Sequence, residues 1–405
     1  MASPSATVPA EAPRCSLRIA LVSETYPPEV NGVAMTIGHM CEGLRRRRHV
    51  VQLVRPRQAA GNPGVRDATL EEVLVRGLAI PRYGELKFGL PAKRTLMRLW
   101  TQKRPDIVHV VTEGPLGWSA VAAARALSLP VSSDFHTNFH IYSRHYGVGW
   151  LGGPISAYLR RLHNRSDLTL VPTRALQREL ITQGFRNVEV LARGVDTALF
   201  DPARRCAQMR HLWGVGDQQL AVIYVGRLAP EKNIDLVVRA FDALRTDAKM
   251  VFVGDGPARA ALQRRYPQHV FAGMRIGEDL ARHYASADMF LFASQTETFG
   301  NVTTEALASG LGVVAYDYAA ARDVIRHGDN GMLASYGDED AFIAAARELA
   351  TRRGLLAEMR VKARQSVAAL DWERIHDGFV ATLWGLIRRH ERRQNAQTTC
   401  FVAPD

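Results

Sequence analysis

The run Met289-Phe-Leu-Phe-Ala293 is apolar throughout, breaks off at a polar loop, and gives way to a helical pattern that starts near Asn301 and stops at Gly310. Uninterrupted apolar runs of this length suit strands covered on both faces, and a parallel sheet with helices above and below supplies that burial. The same strand–loop–helix unit recurs along the chain. Arg18–Val22 leads through Ser23–Val33 into a helix ending about Arg48, and Val50–Val54, Asp106–Val111, Leu168–Val171, Leu220–Val225, Lys249–Val253 and Leu311–Tyr316 read as further strands. Shorter strands are expected at Leu78–Ile80, Val188–Leu191, Val270–Gly273 and Gly331–Ala334. This alternation predicts an α/β fold built on doubly wound parallel sheets.

A chain of 405 residues exceeds what one core normally organises, so two domains are expected. Residues 17–203 would form the first and 204–371 the second, with a linker beginning at Phe200-Asp-Pro202. Residues 372–393 read as a long amphipathic helix crossing back to the first domain, and residues 1–16 and 394–405 as a disordered leader and tail. No apolar run approaches the ~18 residues of a membrane span. Met1–Pro13 lacks the basic and apolar regions of a signal peptide. Cys15, Cys41, Cys206 and Cys400 show neither metal-ligand spacing nor a disulfide framework, which points to a reduced, cytoplasmic setting.

The formal charge of +12 is unevenly spread: residues 1–200 hold 26 Lys+Arg against 15 Asp+Glu, and the remainder 26 against 25. A basic half of this kind suits nucleic acid or an anionic membrane. No zinc-finger spacing, basic zipper or RNP-like strand is present, so nucleic acid is not an expected partner. The stretch Lys87–Arg104 is the membrane candidate. Pro91 can open a helix in which Ala92, Leu96, Leu99 and Trp100 share one face and Arg94 and Arg98 lie opposite. Such a helix either lies in an anionic lipid interface with Trp100 at its edge, or packs on the sheet with its basic face in water. Lys93, Arg94, Arg98 and Trp100 are therefore the candidate membrane or acceptor contacts.

The chemistry concentrates where strands end. After Leu220–Val225 come Gly226, Arg227 and Lys232, a glycine and two cations at the carboxyl end of a strand. Arg227 can grip a phosphate with its planar fork while Lys232 adds a mobile point charge. After Met289–Ala293 come Glu297 in the loop and Glu305 inside the helix, bracketing Phe299, Gly300 and Asn301. A helix N-terminus favours an anion, and carboxylates accept from hydroxyls, so a ligand carrying both phosphate and vicinal hydroxyls uses both. Gly254-Asp-Gly256 imitates a dinucleotide fingerprint, but Arg259 occupies the third glycine position, which excludes a nicotinamide site. His136, His140 and His145 lack the glutamate or cysteine that a zinc site needs, and Asp338-Glu-Asp340 reads as a helix cap. No metal is expected.

Three pieces in this order, Gly226-Arg227…Glu231-Lys232, Gly254-Asp-Gly-Pro257 and Glu297 followed by Glu305, resemble the retaining glycosyltransferases of family 4, which have the two-Rossmann GT-B architecture with the domains facing across a cleft. The resemblance extends from about Arg18 to about Trp384. Ser23-Glu-Thr-Tyr-Pro-Pro-Glu-Val-Asn-Gly-Val-Ala34, Asp134-Phe-His-Thr-Asn-Phe139, Arg193-Gly-Val-Asp196 and Glu297-Thr-Phe-Gly-Asn-Val-Thr303 are similar to GDP-mannose-dependent α-mannosyltransferases and relatives that glycosylate lipids. It implies that Arg227 and Lys232 hold the donor diphosphate, Glu305 the ribose, and Glu297 and His136 the donor sugar. The Asn31-Gly32 loop would approach the diphosphate, and Gly226, Gly254, Met274, Phe299, Gly300 and Asn301 would line the nucleotide-sugar pocket. The implied donor is GDP-mannose or, alternatively, a UDP-sugar such as glucose or a uronate, used without a metal. The implied acceptor is a lipid or lipid-linked sugar, reached from the inner face of the cell membrane. A sugar-nucleotide epimerase of the same fold is the more remote alternative. Ala293 and Gly312 stand where proline is common in the family, and Arg48 where a helix-ending glycine is common.

Overall fold

The computed structural model describes residues 16–29, 31–58, 64–80, 83–136, 152–216 and 218–400. Packing divides the chain into two units, Met1–Asp134 with Arg165–Leu168 and Val380–Asp405, and Phe135–Asn164 with Thr169–Phe379. His140, His145 and residues 1–15 lie outside the described residues.

The first strands are β1 (Arg18–Val22), β2 (Val50–Pro56), β3 (Leu70–Val75), β4 (Gly77–Ile80), β5 (Tyr83–Gly89), β6 (Ile107–Val110), β7 (Val131–Asp134), β8 (Leu168–Val171) and β9 (Val188–Val190). Seven of them form one sheet in the order β3-β2-β1-β6-β7-β8-β9, and β4 and β5 form a separate antiparallel hairpin. Ile19 of β1 stands opposite Val51 of β2 and Ile107 of β6, in parallel register on both sides. The order turns around between β1 and β6, and the crevice at such a reversal is where α/β sheets bind ligands.

The second set is β10 (Leu220–Val225), β11 (Ala248–Val253), β12 (Val270–Gly273), β13 (Met289–Phe292), β14 (Gly312–Tyr316) and β15 (Met332–Ala334), in the order β12-β11-β10-β13-β14-β15. Every residue of β10, β13 and β14 is buried, as strands covered on both faces require. This order reverses between β10 and β13, so the loops after Val225 and Phe292 open at one crevice. Those are the two loops that carry Arg227, Lys232 and Glu297.

Local chemistry explains the helix boundaries. The Asn31 side chain accepts from Ala34 N at 2.8 Å and caps the helix Gly32–Arg46, whose Ala34, Ile37, Met40, Cys41 and Leu44 are buried. The helix ends through Arg48, which holds φ 62°, the left-handed region that glycine adopts at lower cost. At Gly312 a Cβ would stand 2.3 Å from Leu356 Cδ1, so the helix Arg353–Ser366 packs where any side chain, a proline ring included, would collide. Asp338 does act as a cap, accepting from Ala341 N at 2.9 Å.

Two expectations need correction, and one strand escaped the sequence reading. β3 was not foreseen, because Glu71 and Glu72 interrupt its apolar pattern. Arg55 of β2 neutralises Glu72 through two bonds of 3.1 Å, which lets the strand join the sheet. Trp100 is fully buried in the helix Lys93–Gln102 and its indole donates to Gln52 Oε1 of β2 at 2.8 Å, so it packs on the sheet and does not reach a lipid interface. Lys93, Arg94 and Arg98 of the same helix are exposed. Finally, the last helix runs Trp372–Cys400 rather than stopping at Arg393. No glycine or proline ends it sooner, and Gln394 anchors its far end on Ser128 O at 3.2 Å.

Candidate active site

The crevice between β10 and β13 is built on close backbone packing. A Cβ at Gly254 would lie 2.0 Å from Gly226 O, and Leu228 N donates to Asp255 O at 2.9 Å. Only glycine lets the turn after β11 lie against the end of β10, so Gly254 serves that contact in the first place. Beyond it, Arg227 is anchored from below: Tyr224 Oη donates to its carbonyl at 3.0 Å, and its Nη1 lies 3.4 Å from Glu231 Oε1. Glu231 is buried whereas about a third of the Arg227 side chain (36%) faces solvent. The Tyr224 phenol is pushed well above its usual range, first by burial and then by Glu297 and Glu231. It therefore remains a neutral donor.

Lys232 closes the turn Pro230–Lys232, and Asn233, at φ 51°, swings the chain into the helix Ile234–Asp242. From there the Lys232 ammonium reaches Glu297 Oε1, with the two side chains only 12% and 17% exposed. Ser294 Oγ donates to that same oxygen at 2.7 Å. Arg227, Lys232 and Glu297, expected from the sequence, are thus brought to one crevice. Lys232 and Glu297, assigned to diphosphate and sugar respectively, form one ion pair in the free protein.

Past Glu297 the chain turns at Gly300, φ 93°, into the helix Asn301–Ala308. Gly300 as N-cap has no side chain to satisfy this N-terminus, so its first N–H groups suit an anion. Phe299 is buried beneath the turn and its carbonyl accepts from Ala320 N at 2.8 Å. Glu305 lies one turn into the helix, where Tyr284 Oη donates to its Oε2 at 3.0 Å. Burial raises the Glu305 carboxyl to about 7, the Tyr284 bond opposing that rise. Met274, on the loop after β12, is half exposed. Glu278 and Asp279 open the helix Gly277–Ser286, and Asp279 pairs with Arg275 at 3.1 Å.

His136, just beyond β7, is half-buried. Thr298, next to Glu297, donates from Oγ1 to His136 O at 2.6 Å, and Arg193 Nη2 lies 3.3 Å from its Nδ1. The Asn31-Gly32 loop sits at the end of β1, where the Asn31 side chain is taken up by its cap and by a 2.8 Å bond to Thr25 Oγ1. Nearby, Glu24 accepts from Leu116 N at 3.1 Å, and its carboxyl is raised to about 7 by burial. Sequence reasoning passed over Ser294, Thr298, Tyr284 and Arg193 as site residues. Arg193 alone had a signal, its place in Arg193-Gly-Val-Asp196. Among the described residues no three His, Cys, Asp or Glu side chains converge as metal ligands, and no helix is long and apolar enough to cross a membrane.

Comparison with known proteins identifies the family. Residues 30–199 match Glycosyltransferase Family 4, and residues 219–352 match Glycosyl transferases group 1. The chain is 35% identical to a GDP-mannose-dependent alpha-mannosyltransferase of Mycobacterium tuberculosis over 90% of its own length and 95% of the relative's. It is 33% identical to a protein of the same description from Mycolicibacterium smegmatis, over 93% of this chain and all (100%) of the relative. Sucrose-phosphate synthase from Thermosynechococcus elongatus superposes with a TM-score of 0.75 at 17% identity, covering 92% of this chain and 100% of that one, which establishes the fold as GT-B, two Rossmann-like doubly wound sheets. Its sequence and its fold together make this chain a glycosyltransferase of family 4.

Proposed function

We propose that this enzyme transfers mannose from GDP-mannose to a lipid or lipid-linked acceptor with retention of anomeric configuration. The observation that carries the reading is the convergence of Arg227, Lys232 and Glu297 at the β10/β13 crevice, beside an uncapped helix N-terminus. In this reading the donor diphosphate displaces Glu297 from Lys232. Arg227, Lys232 and the N–H groups at Asn301 then meet the charge that develops on the leaving phosphate, with no metal called on. The released Glu297 accepts hydroxyls of the sugar, Glu305 accepts from the ribose, and the half-exposed Met274 covers the base. His136, tied to Thr298 through its backbone, adds a hydrogen bond to the sugar. The acceptor hydroxyl attacks from the face the diphosphate leaves, and the departing phosphate oxygen takes its proton.

Residues 17–203 are assigned to the acceptor and residues 204–371 to the donor. The mannosyltransferases above, at 35% and 33% identity, favour mannose and guanine. The exposed Lys93, Arg94 and Arg98 are proposed to rest on the anionic inner face of the cell membrane, with the enzyme cytoplasmic and peripheral. A thermal-shift comparison of GDP-mannose with UDP-glucose and a UDP-uronate tests the donor. GDP-mannose alone should raise the midpoint in proportion to the logarithm of its concentration. A shift with the UDP-sugars only would replace GDP-mannose by a UDP-sugar in this reading.

A further inference from the structure

Glu297 has its two carboxylate oxygens in different circumstances. Oε1 receives both the Lys232 ammonium and the Ser294 hydroxyl, the latter at 2.7 Å, whereas Oε2 accepts no hydrogen bond from the described residues. Ser294 follows β13 at the reversal of the sheet and is itself only 3% exposed. Ser119 and Ser366 close on nearby backbone, on Pro115 O and Ala363 O. Ser294 instead directs its proton to a carboxylate that already has a cation. A carboxylate held by one partner on one oxygen still rotates about its terminal torsion, which is broad and roughly two-fold. A second donor on the same oxygen removes that freedom and fixes where the other oxygen points.

We propose that Ser294 is a positioning residue for the donor sugar. When diphosphate draws Lys232 away, the Ser294 hydroxyl keeps Oε1 of Glu297 in place, so that Oε2 alone is presented to one sugar hydroxyl. This rests on the reading that Glu297 contacts the donor sugar, and it adds a consequence that reading lacks: discrimination between sugars depends on a residue that touches none of them.

The test compares wild type, Ser294→Ala and Ser294→Thr in transfer from the sugar nucleotide and from its monodeoxy analogues. In wild type one analogue should lose about 10- to 100-fold in kcat/KM, the worth of a hydrogen bond to a charged group. In Ser294→Ala that penalty should shrink severalfold, Ser294→Thr should restore it, and inhibition by free nucleoside diphosphate should be equal in all three. An unchanged penalty in Ser294→Ala, with transfer still measurable, overturns the role of Ser294 alone. No penalty for any analogue in wild type overturns the contact between Glu297 and the sugar, and Ser294's role with it.

Discussion

Lys232 and Glu297 neutralise one another in the free protein, so a phosphate that arrives at Lys232 must compete with a carboxylate already there. In the proposed reading the pair holds the cation in a nearly buried place until the diphosphate takes it. Lys232→Ala and Arg227→Ala should therefore lower turnover by about 10²- to 10³-fold, the usual loss when one charge-stabilising donor is removed. Neither should lower thermal stability comparably, which a melting curve beside the rate assay will show; unchanged transfer in both variants would remove the phosphate assignment. Glu305 makes a pH-dependent prediction. Its carboxyl, raised to about 7 by burial, is mostly protonated at lower pH and ionised above, and in the proposed reading the ribose hydroxyls need the ionised acceptor. Donor affinity should weaken about tenfold between roughly pH 8 and pH 6, since one unit of unfavourable protonation is a factor of ten. Glu305→Gln should bind more weakly and without that slope, as calorimetric titration at the two pH values will show. Arg227, Lys232, Glu297 and Glu305 were legible in the sequence because charged residues at strand ends in a fixed order announce themselves. Ser294, Thr298 and Tyr284 were not, because a hydroxyl's partner is decided by packing between segments far apart in the chain, and the residue type alone is silent about it.

The helix Lys93–Gln102 illustrates how far periodicity carries. Its spacing separated an apolar from a basic face correctly, but a two-faced helix fits a lipid surface and a protein core equally well, and the burial of Leu96 and Trp100, with the Trp100–Gln52 bond, decides for the core on that side. Trp100→Ala should cost about 3–5 kcal/mol of stability, as for other buried tryptophans. Charge-neutralising Arg94→Gln with Arg98→Gln should leave stability within about 0.5 kcal/mol, as exposed substitutions do. The double variant should nevertheless weaken binding to anionic vesicles, and raised salt should weaken it likewise in the wild type. Salt-independent or absent vesicle binding would leave this helix as a packing element only. The edge strand β3 escaped notice for a related reason: its two glutamates look like loop until Arg55 on the neighbouring strand supplies a partner. At the end of the first helix, Arg48 holds φ 62° on an exposed surface, so Arg48→Gly should stabilise the protein by about 1 kcal/mol in a denaturant titration.

Across the whole molecule, two sheets repeat one plan, each reversing its strand order once. Within the second sheet the reversal explains why the candidate residues after Val225 and Phe292 meet at one crevice although a long stretch of chain separates them. The alternation of apolar runs and helices was enough to foresee both sheets, since a buried parallel strand leaves a plain mark. Strand order left no such mark, because sequence periodicity says which segments are strands and not which ones lie side by side. Family membership makes the chain a glycosyltransferase, and the proposal places the donor, GDP-mannose, at the second crevice. The most direct measurement supplies wild type and Lys232→Ala with mannose-labelled GDP-mannose and a membrane lipid extract, and follows label into the organic phase. The account predicts labelled lipid from wild type and almost none from Lys232→Ala. Label that stays on the nucleotide in both, while a UDP-sugar given to the wild type is consumed, would contradict it.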